Sequence, residues 1–222
     1  MRPNVGRFHQ HMGRRVAAGT IALALAVGPL AGCTARQLEG QSSAYLIIDS
    51  LVGANGAEPD KMAGTVDSDV ETLVKKNVDG KDVLTPTIYL DPAEVTFRLA
   101  LKDPGSSNSP SQPTSANFIT VNRYHVNFVR TDGRNTPGVD VPYGFDGAST
   151  VTVSGNGAKM GFELVRIQAK VEAPLRQLVA TGTAYTISTI AVVTFYGFDQ
   201  AGHEVNVTGR ISVDFANWGD PD

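Results

Sequence analysis

The chain has 222 residues, with 19 Lys and Arg against 22 Asp and Glu, four His and one Cys, for a formal charge of −3. A single cysteine leaves no intramolecular disulfide to make, and so few His and Cys argue against clustered zinc ligands and Cys/His nucleophilic pairs. There is no basic excess to neutralise phosphates, which argues against sequence-independent nucleic-acid binding.

The first element in chain order is unlike the rest. Arg2, Arg7, Arg14 and Arg15 precede Cys33 with no acidic residue among them, and residues 16–30 are rich in Ala, Leu, Val and Ile. A charged region followed by a short apolar run predicts a signal peptide over residues 1–32. Gly28-Pro29 interrupts the run, which falls short of the roughly 20 residues a spanning helix needs. Leu30-Ala31-Gly32-Cys33 closes it, with small Ala31 and Gly32 giving a peptidase access to the backbone before the chain's one cysteine. These four residues resemble the lipobox of bacterial lipoproteins. The resemblance implies cleavage between Gly32 and Cys33, a diacylglyceryl thioether on Cys33, and acylation, as by palmitate, of the new amino terminus. Arg14-Arg15 lacks the flanking residues of a twin-arginine signal. Each buried methylene contributes about 0.8 kcal/mol and several acyl chains hold a protein stably, so the membrane is the first expected partner, through the lipid on Cys33. Thr34, where an Asp would favour inner-membrane retention, points to the outer membrane.

Removal of residues 1–32 takes four arginines and no acid, leaving 190 residues with 15 basic and 22 acidic side chains and a net charge of −7. That is length enough for one good core, and the acidity disfavours anionic lipid as it does nucleic acid. Residues 33–43 are polar and aperiodic and predict a lipidated tether; residues 44–218 predict a single domain, with no internal repeat.

From Tyr45 the pattern is strand after strand. Residues 45–52 predict an opening strand and Val70 to Val74 a weak second one before the turn residues 77–81. Val95, Phe97, Leu99 and Leu101 alternate with polar neighbours, as do Tyr124, Val126 and Phe128 within residues 118–130. Residues 151–153 and 162–171 predict further strands, and Ala173 to Leu178 is the one helix candidate. Residues 190–196 are apolar on both faces and read as a central strand. Val205, Val207, Ile211, Val213 and Phe215 alternate with polar residues, and Asp199-Gln200-Ala201-Gly202 supplies the turn of a closing hairpin.

About seven or eight short strands and almost no helical periodicity predict an all-β fold, an antiparallel β-sandwich of immunoglobulin/fibronectin-III type. A closed barrel or jelly roll is the alternative that strand count leaves open. Residues 43–56, 97–105, 123–147 and 194–220, such as RYHVNFVRTDGRNTPGVDVPYGFDG and TFYGFDQAGHEVNVTGRISVDFANWGD, resemble a family of bacterial lipoproteins with an immunoglobulin-like sandwich. The resemblance covers most of the mature chain; it implies the fold and the anchor and brings no activity with it.

Chemistry-bearing residues are sparse. The mature chain keeps only His125 and His203. His125 reads as a strand-face histidine bonded to a neighbour or water, and His203 as exposed beside a turn. Residues 154–157, Ser-Gly-Asn-Gly, match neither a nucleophile elbow nor a phosphate loop, and no cofactor is expected. The best candidate binding surface is the connection 131–147, where Asp132, Arg134, Asp140 and Asp146 supply charge and Tyr143 and Phe145 stacking area. The competing reading gives the Asp-Gly pairs to turns, pairs Arg134 with a carboxylate and tucks Tyr143 and Phe145 over the core edge. Asp67 and Asp69, Asp79 and Asp82, or Asp140 and Asp146 are minority calcium candidates, none matching a defined calcium loop. Residues 103–117, polar and with three prolines, read as a mobile loop. The expected function is a non-catalytic binding or structural module of the cell envelope, its partner an envelope protein or a glycan. The alternatives are an envelope hydrolase using paired carboxylates, or a carbohydrate-binding module with the sole Trp218 as platform.

Overall fold

The computed structural model describes residues 40–181 and 184–218. The predicted signal peptide, Cys33 and the tether as far as residue 39 lie outside the described residues. In chain order the elements are β1 (Ala44–Gly53), β2 (Thr65–Asp69), a hairpin of β3 (Thr72–Val78) and β4 (Lys81–Thr87), β5 (Asp91–Leu101), a small hairpin of β6 (Gly105–Ser106) and β7 (Ser109–Pro110), and β8 (Ile119–Val129). Then come β9 (Phe145–Gly147), β10 (Val151–Val153), β11 (Ala158–Val165), the helix α1 (Ile167–Val171), a 3-10 turn over Leu175–Ala180, β12 (Ile187–Asp199) and β13 (Glu204–Ala216). Among the described residues no helix is long and apolar enough to cross a membrane.

Two sheets face each other. One has the order β1-β5-β11; the other has the order β10-β8-β12-β13-β2, with β9 also on β8. Every pairing is antiparallel except that of β2 with β13. The first strand region is thus divided, β1 belonging to one sheet and β2 to the other. With β1-β5-β11 facing β13-β12-β8, the molecule is an immunoglobulin-like β-sandwich rather than a closed barrel. Nine strands build the two sheets, the short β9 among them; the hairpins β3-β4 and β6-β7 are insertions in the connections.

The core follows from the alternation. Phe97 and Phe162 of the smaller sheet pack edge-on against Phe195 of the larger, with centroids 5.1 Å and 5.3 Å apart, and Phe128 meets Phe215 at 5.5 Å. Tyr124 is buried too, and its hydroxyl accepts a hydrogen bond from the Glu163 amide across the sandwich at 3.2 Å. Gly147 is required beside it, because a Cβ there would stand 2.2 Å from the Tyr124 ring. β12 is central, as its sequence predicts, but Ala191, Val193 and Phe195 form its buried face while Ile190, Val192 and Tyr196 are only half-buried. On that outer face the Arg123 guanidinium stacks over Tyr196 at 4.0 Å.

Three of the expected elements are corrected. The strand over residues 162–171 ends at Val165, and the chain turns into α1, whose Lys170 reaches inward to Asp91. The helix expected over 173–178 is displaced: α1 precedes it, and the 3-10 turn follows Pro174 and buries Leu175 and Leu178. The weak strand over Val70 to Val74 is the junction of β2 and β3, and its partner β4 was hidden by Pro86 and by adjacent Val83 and Leu84, which break the alternation. The turn between β3 and β4 is Asp79-Gly80, both at positive φ, as a tight hairpin demands.

Strand directions define two poles. β1 and β13 run the same way, since Ile48 and Leu51 lie over Gly209 while Gly53 lies over Val66, the register partner of Val213. The chain therefore comes in at a near pole and β1 carries it roughly 30 Å to a far one. At the near pole Lys102 fastens the incoming segment, its Nζ donating to the Gly40 carbonyl at 2.5 Å and its amide to that of Ser43. Asn117, from the connection 103–117, donates to Ser43 Oγ at 2.7 Å, so that connection carries ordered elements. His203, expected to be exposed, is instead held by Asp199, with Nδ1 2.9 Å from Oδ2. Burial pushes the Asp199 carboxyl up, but hydrogen bonds from the His203 ring and amide, the Ala201 amide and Ser42 outweigh it and leave the pKa lowered.

Phe195→Ala should cost about 3–5 kcal/mol in urea unfolding, whereas Phe198→Ala, on the exposed outer face, should cost less than about 1 kcal/mol. Because the folded pKa of Asp199 lies below its ordinary value, its contribution is present above about pH 4 and is lost as the pH falls through the lowered value. Thermal melts of Asp199→Asn should accordingly be less stable at neutral pH and show a shallower acid-side decline than wild type.

Candidate functional site at the far pole

The far pole is organised by one carboxylate. Asp91, the first residue of β5, is wholly buried, and so is Lys170 of α1. Lys170 Nζ donates to Asp91 Oδ1 at 2.7 Å, the Gly56 amide to the same oxygen at 2.9 Å, and Ser68 Oγ to Oδ2 at 2.5 Å. Burial pushes the Asp91 carboxyl up, and the Lys170 charge followed by the hydrogen bonds from Lys170, Ser68 and Gly56 pulls against it. Four segments distant in sequence are thereby joined: the loop after β1, β2, β5 and α1. Gly56 is needed at its place, since a Cβ there would lie 1.9 Å from the Leu90 carbonyl oxygen.

Beside Ser68, the buried Asp69 holds the C-terminal segment. Its Oδ1 accepts the Trp218 amide at 3.0 Å and its Oδ2 the Thr72 hydroxyl at 2.5 Å. The Trp218 indole N–H donates to the Ser68 carbonyl at 3.2 Å, which fixes the ring's orientation. Between these parts lies an open groove of about 720 Å³, walled by the loop 55–58, Asp67 and Asp69, the first half of β3, Tyr89 and Trp218. That size falls within the ordinary range of small-ligand sites, about 300–1,000 Å³. Two aromatic side chains and a mixed set of polar groups line it. Glu58 Oε1 is paired with Lys61 at 2.6 Å, and Asp69 is engaged on both oxygens. Asp67 is exposed, its backbone in the ladder with β13, and its carboxylate makes no hydrogen bond to the described residues.

The connection 131–147 is organised around its own side chains. Asp132 accepts from Arg130 at 3.1 and 2.6 Å and from the Arg134 amide and Nε at 3.1 and 3.0 Å, which holds its carboxyl well below the usual carboxylate range. Asp140 closes a turn by accepting the Thr136 amide. Tyr143 is exposed, its ring against Gly138. Phe145 is buried in β9, with the Arg166 guanidinium 4.1 Å over its ring. Asp146 meets Arg123 Nη1 at 3.3 Å and His125 Nδ1 at 3.4 Å. Asp132 and Arg134 thus come together, while Asp140, Tyr143, Phe145 and Asp146 take separate places, Tyr143 and Asp146 lining different cavities. Among the described residues no group of three or more His, Cys, Asp or Glu is placed to hold a metal ion. Of the calcium candidates, Asp69 is taken up by Trp218 and Thr72, and Asp79 and Asp82 sit at the β3-β4 turn.

Sequence reasoning put its candidate surface in the connection 131–147, whereas the groove lies at the far pole, on other segments. It named Trp218, Asp67 and Asp69 but missed Tyr89, Asp91 and Lys170; Asp91 follows the apolar run Ile88-Tyr89-Leu90, whereas Lys170 stands in a mixed stretch with no local signal. No family model, curated protein or solved structure matches this chain.

Lys170→Ala leaves the Asp91 carboxylate buried and unpaired and should cost about 3–5 kcal/mol in urea unfolding. The double variant Asp91→Leu/Lys170→Met should recover only part of that loss, because the Gly56 amide and the Ser68 hydroxyl lose their acceptor, while Arg176→Ala, which breaks the exposed pair with Glu71, should cost under about 1 kcal/mol.

Proposed function

We propose that this chain is a lipid-anchored, non-catalytic binding module of the bacterial cell envelope, held through Cys33 and presenting the far-pole groove away from the bilayer. The observation that carries the reading is polarity along the strands: the chain comes in at Gly40 and the groove lies at the opposite end of β1. Only residues 34–39 separate Cys33 from Gly40, a span of at most about 25 Å when extended. The near pole then stays close to the lipid headgroups and the groove stands a strand's length further out. The lipobox residues Leu30, Ala31, Gly32 and Cys33 support the anchor, with Thr34 favouring the outer membrane.

Binding is favoured over hydrolysis by the state of the carboxylates. Paired-carboxylate hydrolysis needs one acid held protonated within reach of the substrate and a second held ionised beside it. The acid that burial holds above its ordinary range is Asp91, which is sealed from solvent. In the groove, Asp69 is engaged on both oxygens and Glu58 is paired with Lys61.

Cys33→Ala expressed in a bacterial host should move the protein from the detergent-soluble membrane fraction to the aqueous one, and should abolish the mass added by acylation at the mature amino terminus. Retention of the variant in the membrane fraction at wild-type level overturns the anchor.

A further inference from the structure

We infer that the far-pole groove binds a short, uncharged oligosaccharide; this inference rests on the binding-module reading above. Trp218 donates its amide to Asp69 and its indole N–H to Ser68, so its ring is fixed before any ligand arrives and little side-chain freedom is lost on contact. Tyr89 lines the same groove. Aromatic surfaces of this kind match the apolar C–H faces of pyranose rings. The hydroxyls at a pyranose edge both donate and accept, and the groove offers groups of both kinds. The Asp67 carboxylate can accept, the Asn55 amide nitrogen can donate, and the Tyr89 hydroxyl can do either, none of them hydrogen-bonded to the described residues. Asn55 itself is oriented, because its Oδ1 accepts the Ala57 amide at 3.0 Å.

Charge narrows the class. The lining holds three carboxylates, Glu58, Asp67 and Asp69, against one cation, Lys75, and the mature domain as a whole carries −7, so the balance at the groove is acidic. Uronate, phosphate-bearing and sulfated glycans are therefore disfavoured, and neutral hexose or N-acetylhexosamine chains fit.

Trp218 is the only tryptophan in the chain, so its fluorescence reports on this groove alone. The full lipidated protein in a detergent without sugar headgroups is titrated with cellotetraose, chitotetraose and, as the anionic counterpart, tetragalacturonate, with acrylamide quenching measured in parallel. Cellotetraose or chitotetraose should change the Trp218 emission saturably and protect it from acrylamide, and tetragalacturonate should bind at least about tenfold more weakly. Tyr89→Ala should weaken neutral-sugar binding by about tenfold, and Asp67→Asn by several-fold, with melting temperatures unchanged. If acrylamide quenches Trp218 freely but neither neutral tetrasaccharide changes its emission at millimolar concentration, the saccharide inference falls and the groove stands. The same outcome accompanied by an emission change with an extended peptide replaces sugar with peptide as the ligand. If acrylamide does not reach Trp218 at all, there is no open groove, and the binding-module reading falls with the saccharide one.

Discussion

Asp91 and Lys170 are 79 residues apart, and neither exposes any surface to solvent. Taking two charges out of water is unfavourable by several kcal/mol per ion, and their mutual attraction offsets this only where the remaining lone pairs and protons are also satisfied. Asp91 meets that condition, with three donors on its two oxygens. A pair of well-packed apolar side chains would hold β5 and α1 together at least as strongly. Such a pair would leave the Gly56 amide and the Ser68 hydroxyl without an acceptor. The carboxylate therefore sets position more than stability: it fixes the loop after β1 and the inner side of β2 in one register.

That register is what the groove is built on. Ser68 binds Asp91 through its hydroxyl and Trp218 through its carbonyl, so one residue links the buried ion pair to the ring on the groove wall. Asp69 repeats the arrangement one step along, tying Trp218 to the start of β3 through Thr72. Gly56, held at its amide, positions Asn55 and Ala57 on the opposite wall. A site assembled by such ties is preorganised, and ligand binding there loses less conformational entropy than binding to a loop that must first order.

The strands of the sandwich frame were readable because half-burial writes a period of two into the chain. β5, β8 and β13 alternate, β12 stands out instead as a run apolar on both faces, and the sequence placed all four within a few residues of their ends. The segment 162–171 failed for a physical reason. Local β-propensity continues through Val165, Ile167 and Val171, but burying Lys170 against Asp91 bends the backbone into a helical turn, and no window of ten residues contains that partner. The site was hidden by the same kind of distance, since Asn55, Asp67, Tyr89 and Trp218 lie on four segments that only the folded sandwich brings together. The connection 131–147 stood out in sequence because charged and aromatic residues crowd together there. Part of that composition folds the connection itself: Asp132 satisfies two arginines and Phe145 joins the core as part of β9, while Tyr143 and Asp146 stay exposed.

The β3-β4 hairpin shows how the same far pole limits what surrounds the groove. Its first residues, Thr72 to Lys75, line the groove, and its outer half, including Val78, Val83 and Leu84, is exposed. An isolated two-stranded ribbon is marginally stable in water, so its order depends on the end that joins the body. There Thr72 is bonded to Asp69. Beyond Lys75 the support seen among the described residues is internal to the ribbon: its ladder, the tight Asp79-Gly80 turn and the Asn77 side chain, which accepts the Gly80 amide and donates to Asp82. Rigidity therefore falls along the hairpin from base to tip, and the groove lies at the rigid base, beside the segments that Asp91 secures.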